Sequence, residues 1–291
     1  MKRCARGLTV VEVIAIVVVV VVLIGILLPA MQPARGRHGR QFKDQTQVRG
    51  IVQAMQLWAQ NNGDRYPMPS LIDKDNATVG EIGAAKDTTA NIYSILIYNG
   101  HIPTEICVSP AESNGKIEVF GTYALEKPAT AVNPEKALWD PMFKADFTGE
   151  KQSHLSYANM RPFGPRAKRW GGTMVATDAQ VGNRGPEITE IQRRRNGFKA
   201  ITALKDSNTF LIHGGRTTWE GNIAYGDAHV NFEVSMVGED AANWPNYQGK
   251  AGRTPDCLFF DEPDDVKRDN VFMSIFTKAG AEAKDWKAIW D

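Results

Sequence analysis

Residues 13–28 form a run of sixteen consecutive side chains without a polar group, and that run limits what the chain can fold into more than its average composition does. Taken from Leu8, the apolar stretch covers residues 8–28. These 21 residues reach roughly 31 Å at about 1.5 Å per residue, the depth of a bilayer's hydrocarbon core. Its many valines and isoleucines favour a strand. A lone strand in lipid leaves its backbone unpaired, so a single spanning helix is expected. The remainder is polar and mixed, with 34 Lys+Arg against 33 Asp+Glu, a formal charge of +1 and 43% hydrophobic residues over the whole chain. A chain of 291 residues with this balance can bury a real core. Disordered, collagen-like, disulfide-scaffold and polytopic classes are excluded, and the net charge gives no global attraction to nucleic acid.

The edges of the apolar run are as informative as its length. A basic leader, residues 1–7, precedes it, and Glu12 sits four residues inside it. A carboxylate there costs about 1–3 kcal/mol depending on depth, so it calls for an interfacial position or a partner cation. An ordinary secretory signal fits poorly, because the apolar region is too long and no small-x-small cleavage site follows it. Lys2, Arg3 and Arg6 before the span are balanced by Arg35, Arg37 and Arg40 after it, so loop charge does not orient the helix.

Gly7, then Leu8-Thr9-Val10-Val11-Glu12 and a long apolar helix with Pro29 at its exit, resembles the prepilin-type cleavage and methylation signal of type IV pilins and type II secretion pseudopilins. The family usually has Phe where this chain has Leu8. The resemblance implies cleavage by a prepilin peptidase between Gly7 and Leu8 and methylation of the new terminus. It implies a single-pass protein of the bacterial inner membrane, with a cytoplasmic leader and a periplasmic or extracellular head. Glu12 would pair with the terminal amine of a neighbouring subunit. Other pseudopilin subunits, an inner-membrane assembly platform with its ATPase and the lipid bilayer are the partners it implies.

Residues 29–63 read as a stalk. Val48, Ile51, Val52, Met55, Trp58 and Ala59 recur at helical spacing, Lys43, Asp44, Gln47, Arg49 and Gln53 fall to the polar side, and Asn62-Gly63 ends the helix. Residues 64–291 read as an α+β head. A short helix is expected at 88–100, with Ile92, Ile95 and Leu96 inward and Gly100 as its stop. Strand-like runs follow at Ile117-Val119-Phe120, Ser156-Tyr157, Met174-Val175-Ala176, 209–212 and 221–232, with a tight turn at Gly226-Asp227. Residues 186–195 read as a loop or short helix. The expected class is thus α+β and pilin-like: a long N-terminal helix, transmembrane then amphipathic, packed on a small antiparallel sheet with an enlarged loop-rich head.

Within the head, Thr209-Phe-Leu-Ile-His213-Gly214-Gly215-Arg216 and 221–232 resemble the C-terminal element of a group of pseudopilin-like proteins abundant in planctomycetes. That group is named for a His, nine residues and Asp-Gly (the DUF1559 or H-X9-DG group). Ile106-Cys107-Val108-Ser109-Pro110 is similar to its Cys-Pro-Ser segment, Ser156-Tyr157-Ala158-Asn159 to its Ser-Tyr-x-x-Asn, and Arg268-Asp269-Asn270-Val271 to its closing motif. Here thirteen residues separate His213 from Asp227, and Ala228 replaces the glycine.

Chemistry is sparse. His213, Asp227 and His229 are the candidate metal or acid/base cluster, with Asp227 and His229 at i and i+2 on one strand facing the same way. A metal-dependent hydrolase built on them is the weakest of three readings. No Gly-x-Ser-x-Gly, His-Glu-x-x-His or phosphate loop occurs, and a non-enzymatic role without a resident cofactor is expected. Asp256, Asp261, Glu262, Asp264, Asp265 and Asp269 offer calcium an acidic stretch without EF-hand spacing. Arg166-Lys168-Arg169 and Arg193-Arg194-Arg195 read as solvated basic faces rather than a nucleic-acid site. Cys4 leaves with the leader, so Cys107 and Cys257 remain. Their pairing would close a loop worth about 5 kcal/mol in the chain-entropy model. Trp139, Trp170, Trp219 and Trp244 motivate the alternative to a structural subunit, a membrane-tethered module recognising extracellular glycans.

Overall fold

The computed structural model describes residues 10, 12–13, 15–17, 19, 37–194, 197–237, 256–263 and 270–291. The chain divides into two compact units, Met1–Arg40 and Gln41–Asp291. In the first, Val10, Glu12, Val13, Ala15, Ile16, Val17 and Val19 are helical and exposed. Most of the 8–28 span lies outside the described residues, as do Gly7, Leu8 and Cys4. Among the described residues no helix is long and apolar enough to cross a membrane.

The dominant element is α1, Arg37–Asn61. Val48, Ile51, Val52, Met55, Trp58 and Ala59 are buried along one face, the spacing that brings i, i+3 and i+4 side chains into one stripe. The helix ends where Asn62-Gly63 directs. Gly63 takes φ 64°, and the Asp64 N–H returns 3.0 Å to the Ala59 carbonyl, a Schellman closure. The next residues are strapped down. The Gly172 N–H donates to the Asp64 carbonyl at 2.9 Å, Arg65 bridges Gly171, and Tyr66 meets Trp170 edge-on at 5.3 Å. A Cβ on Gly171 would collide with the Asp64 carbonyl oxygen, so only glycine permits this approach.

After a short α2, Pro69–Ile72, comes α3, Thr89–Tyr98. Thr88 caps it by accepting the Asn91 N–H, and Gly100 at φ 71° closes it, with the His101 N–H on the Leu96 carbonyl at 2.9 Å. Strands β1 (Tyr157–Met160), β2 (Ala179–Asn183), β3 (Ile188–Arg194) and β4 (Gly197–Thr202) follow, then α4, Thr209–Ile212. The last elements are β5 (Gly221–Tyr225), β6 (Val230–Glu233), β7 (Met273–Lys278) and β8 (Lys287–Ile289). Six of these strands form a sheet in the order β6-β5-β2-β1-β7-β8, every pair antiparallel. β3 and β4 form a separate hairpin. The fold is α+β with an antiparallel sheet, as the sequence suggests.

Strands β1, β2 and β5 are buried throughout because both sheet faces are covered. In β5, Ala224 joins the cluster that contains the α1 stripe, while Ile223 and Tyr225 join a second cluster with Phe210, Trp219 and Phe259. Helix α1 also bonds to the β5–β6 hairpin, through Gln45 Nε2 to the Val230 carbonyl at 3.3 Å and Gln56 Nε2 to the Gly226 carbonyl at 2.8 Å.

Several local expectations are corrected. Residues 209–212 form α4 rather than a strand, because Thr209 Oγ1 and Ser207 Oγ bond to each other and Phe210 packs inward from a helical turn. Residues 188–194 are a strand rather than a loop or helix, drawn into register by β4 from Ile188↔Thr202 to Arg194↔Gly197. Ile117 makes one isolated bridge to Ser153, and Met174-Val175-Ala176 form no strand, with Met174 at φ 53°.

Since Ile51 is fully buried on the α1 stripe, Ile51→Ala should lower the unfolding free energy by about 2–5 kcal/mol in chemical denaturation of the full chain. A loss under about 1 kcal/mol would mean that α1 does not carry the core.

Candidate functional site

The stripe on α1 extends one turn towards its start, to Asp44, and there the helix carries a charge into the interior. Asp44 is 0% exposed. Its Oδ1 accepts from Ser109 Oγ and from the Tyr157 hydroxyl at 2.8 Å. Its Oδ2 accepts from Asn222 Nδ2 at 2.7 Å and lies 3.0 Å from His213 Nε2. A carboxylate offers about four lone-pair sites, and all four are taken. The four partners come from four places: the loop after α3, strand β1, the segment after α4 and strand β5. Asn222 Nδ2 also reaches the Gln41 carbonyl of α1 at 3.3 Å, and the Tyr157 hydroxyl lies 3.0 Å from Gln47 Oε1. Phe232 packs edge-on against the His213 ring at 5.7 Å.

Burial alone would push the Asp44 carboxyl up. The His213 hydrogen bond and charge, with the Ser109 and Asn222 donors, outweigh burial and hold it below its ordinary value. The motifs around Ser109, Tyr157, His213 and Asn222, far apart in sequence, therefore meet at one carboxylate on α1. As polar residues, Asp44 and Gln47 are expected on the polar side of the helix. Both are buried, because Asp44 lies four residues before Val48 and so on the apolar stripe itself.

The proposed trio does not assemble. His213 is drawn to Asp44, whereas Asp227 and His229 sit in the β5–β6 turn rather than on one strand. Ala228 between them takes φ 64°, and Asp227 Oδ1 accepts the His229 N–H at 3.1 Å and contacts His229 Nδ1. The His229 ring stacks on Tyr225 at 4.5 Å. Among the described residues no group of three or more His, Cys, Asp or Glu side chains is placed to hold a metal ion.

Cys107 and Cys257 are corrected as well. Both are free thiols buried in different clusters, Cys107 with the α1 stripe and Cys257 with Trp219 and Phe259, and burial pushes both thiols up. Of the acidic stretch, Asp264, Asp265 and Asp269 lie outside the described residues. The others are not arrayed for calcium. Asp261 pairs with Arg161 at 2.7 Å and Arg166 at 3.2 Å, Asp256 accepts the Val271 N–H at 2.9 Å, and Glu262 accepts from the Cys257 N–H at 2.7 Å and Asn270 Nδ2 at 3.0 Å. Burial, then the nearby Asp256 charge, raises Glu262 well above the usual carboxylate range.

In the first basic cluster Lys168 alone is exposed, as a solvated face requires. Arg166 is fully buried on Asp261 and the Asn270 carbonyl, and Arg169 pairs with Asp178 at 3.1 Å. Arg193 and Arg194 lie on β3, and Arg195 is outside the described residues. Trp139, Trp170 and Trp219 are interior, their indole N–H groups bonded to Asn91 Oδ1, the Pro67 carbonyl and the Arg184 carbonyl. Their rings are therefore not offered to a glycan. Trp244 lies outside the described residues. Glu12 is described, helical and exposed, whereas its companions Gly7 and Leu8 are not described. No family model, curated protein or solved structure matches the chain.

Removing one partner of a buried pair leaves the other uncompensated, so His213→Ala should cost about 3 kcal/mol in denaturation. The acid response follows from the sign of the Asp44 shift. A carboxyl held below its ordinary 3.8 contributes fully above that pH, and its contribution is lost as pH falls through the folded value. The stability gap between the native chain and Asp44→Asn should therefore stay constant at neutral pH and shrink below about pH 4. A gap that widens in acid would contradict the assignment.

Proposed function

We propose that the chain is a structural, pseudopilin-like subunit, processed by a prepilin peptidase and assembled through its N-terminal helix into a type II secretion or type IV pilus-like filament. The observation that carries this reading is the sequence Gly7-Leu8-Thr9-Val10-Val11-Glu12 placed directly before the apolar run of residues 13–28. Cleavage after Gly7 frees the Leu8 amine. With residues 8–28 in the bilayer, a Glu12 carboxylate beside a neighbouring subunit's terminal amine forms an ion pair that low dielectric strengthens, and that pair sets the stagger of adjacent helices. The head faces the periplasm or exterior, and the inner-membrane platform with its ATPase moves the subunit out of the membrane.

The attachment of α1 to the head supports such a role. A subunit moved by its helix must bring its head along, and here the helix is held by an apolar stripe together with a saturated carboxylate. Nothing in that arrangement is open to a substrate, since Asp44 and His213 are 0% and 2% exposed.

Mass spectrometry of the protein from its host should find a mature terminus at Leu8 carrying a methyl group. An intact Met1 terminus would overturn the processing step. Glu12→Ala should leave insertion and cleavage unchanged and reduce recovery of sheared filaments by about tenfold or more, the loss of a desolvated pair worth over about 1.4 kcal/mol. Undiminished filament yield would remove Glu12 from assembly.

A further inference from the structure

The β3–β4 hairpin leaves a strand edge facing a groove. β3 occupies one edge of β4, and among the described residues no strand pairs with the other. Residues 199–202 of β4 line a groove of about 490 Å³, and residues 234–237, which follow β6, line it as well. Residues 236–237 are already engaged elsewhere, with the Met236 carbonyl accepting the Leu258 N–H at 2.9 Å and Val237 bridging Cys257. Among the described residues the edge without a strand partner is therefore that of β4, where every second residue turns its N–H and C=O away from β3. Apolar surface is present too: among the groove's lining residues Val234 is 70% exposed and Ile201 and Met236 are half-buried, while Phe210 and Trp219 are buried.

Its charge has one sign. Lys199 and Lys205 line the groove, both exposed, and neither is in an ion pair among the described residues. No described acidic side chain lines it.

The geometry points to a docking site for an extended, acidic polypeptide segment, which adds as a strand to the outer edge of β4. Its backbone takes the unpaired N–H and C=O groups, alternate apolar side chains enter the groove, and its carboxylates meet Lys199 and Lys205. The volume suits about four residues in extended form, some 13 Å of strand. This surface belongs to the head and is independent of how the N-terminal segment is processed.

The test is fluorescence polarisation with the full chain in detergent micelles and a labelled heptapeptide of alternating valine and glutamate. Saturable binding is expected. Methylating alternate backbone nitrogens of the probe removes the donors that pair with β4 without altering its charge, and should weaken binding by about tenfold or more. The double variant K199E/K205E should weaken it by a similar factor. Both side chains are exposed, and an unchanged thermal melt would show that the variant is folded. Absence of saturable binding, equal binding of the N-methylated probe, equal binding of a valine–lysine probe or an unaffected double variant would each overturn the proposal.

Discussion

A fully buried carboxylate is tolerable only when its surroundings replace the water it has lost, and Asp44 imposes that condition on most of the head. Burying an unpaired carboxylate costs several kcal/mol even after relaxation. Here the cost is offset by four donors on four segments, so those segments reach their places together or the charge is stranded. The apolar stripe of α1 supplies the driving force for packing, but apolar contact is nearly indifferent to sliding by a fraction of a turn. Asp44 is not. Its hydrogen bonds fix the height and rotation of α1 against β1 and β5.

The same solution recurs where long connections must be held without strands. Lys86 pairs with Asp73 at 3.0 Å, both side chains 1% exposed. Arg184 is buried between Glu112 and Asp291, and their charges outweigh the lowering effect of burial and raise its guanidinium. Residues 103–156 contain no strand, and their order depends on such buried polar contacts and on rings such as Phe143 and Trp139 in the core. Gly214 illustrates how tightly this is drawn. A Cβ there would overlap the Thr218 carbonyl oxygen, and Gly214 directly follows the histidine that meets Asp44.

How far the sequence revealed this depended on whether the deciding contact was local. Helices α1 and α3 were legible because their spacing, caps and glycine stops lie within a few residues of one another. The β5–β6 hairpin was legible in outline, and only its extra turn residue, Ala228, altered where Asp227 and His229 fell. The charge of Asp44 points to solvent, whereas its spacing to Val48 puts it on the inward stripe, and the spacing prevails because four donors await it there. His213 was noticed, yet its partner lies 169 residues away, beyond any periodicity. Arg166, Trp139, Trp170 and Trp219 are interior because their partners come from segments 35 or more residues away, whereas Arg169 meets Asp178 only nine residues on. The strand at residues 188–194, carrying Arg193 and Arg194, is made by its pairing with β4 and not by its own pattern.

Helix α1 is fastened near both of its ends. Asp44 holds the first turns, and the strap from Asp64 to Gly171 and Gly172 holds the exit, with about 17 Å of apolar stripe, Val48 to Ala59, between. A pull along the helix axis loads these fastenings in parallel, as a lap joint is loaded in shear. A pull across the axis would instead open them one after another, like a zipper. The helix is thus built to resist tension along its own length more than peeling from its side.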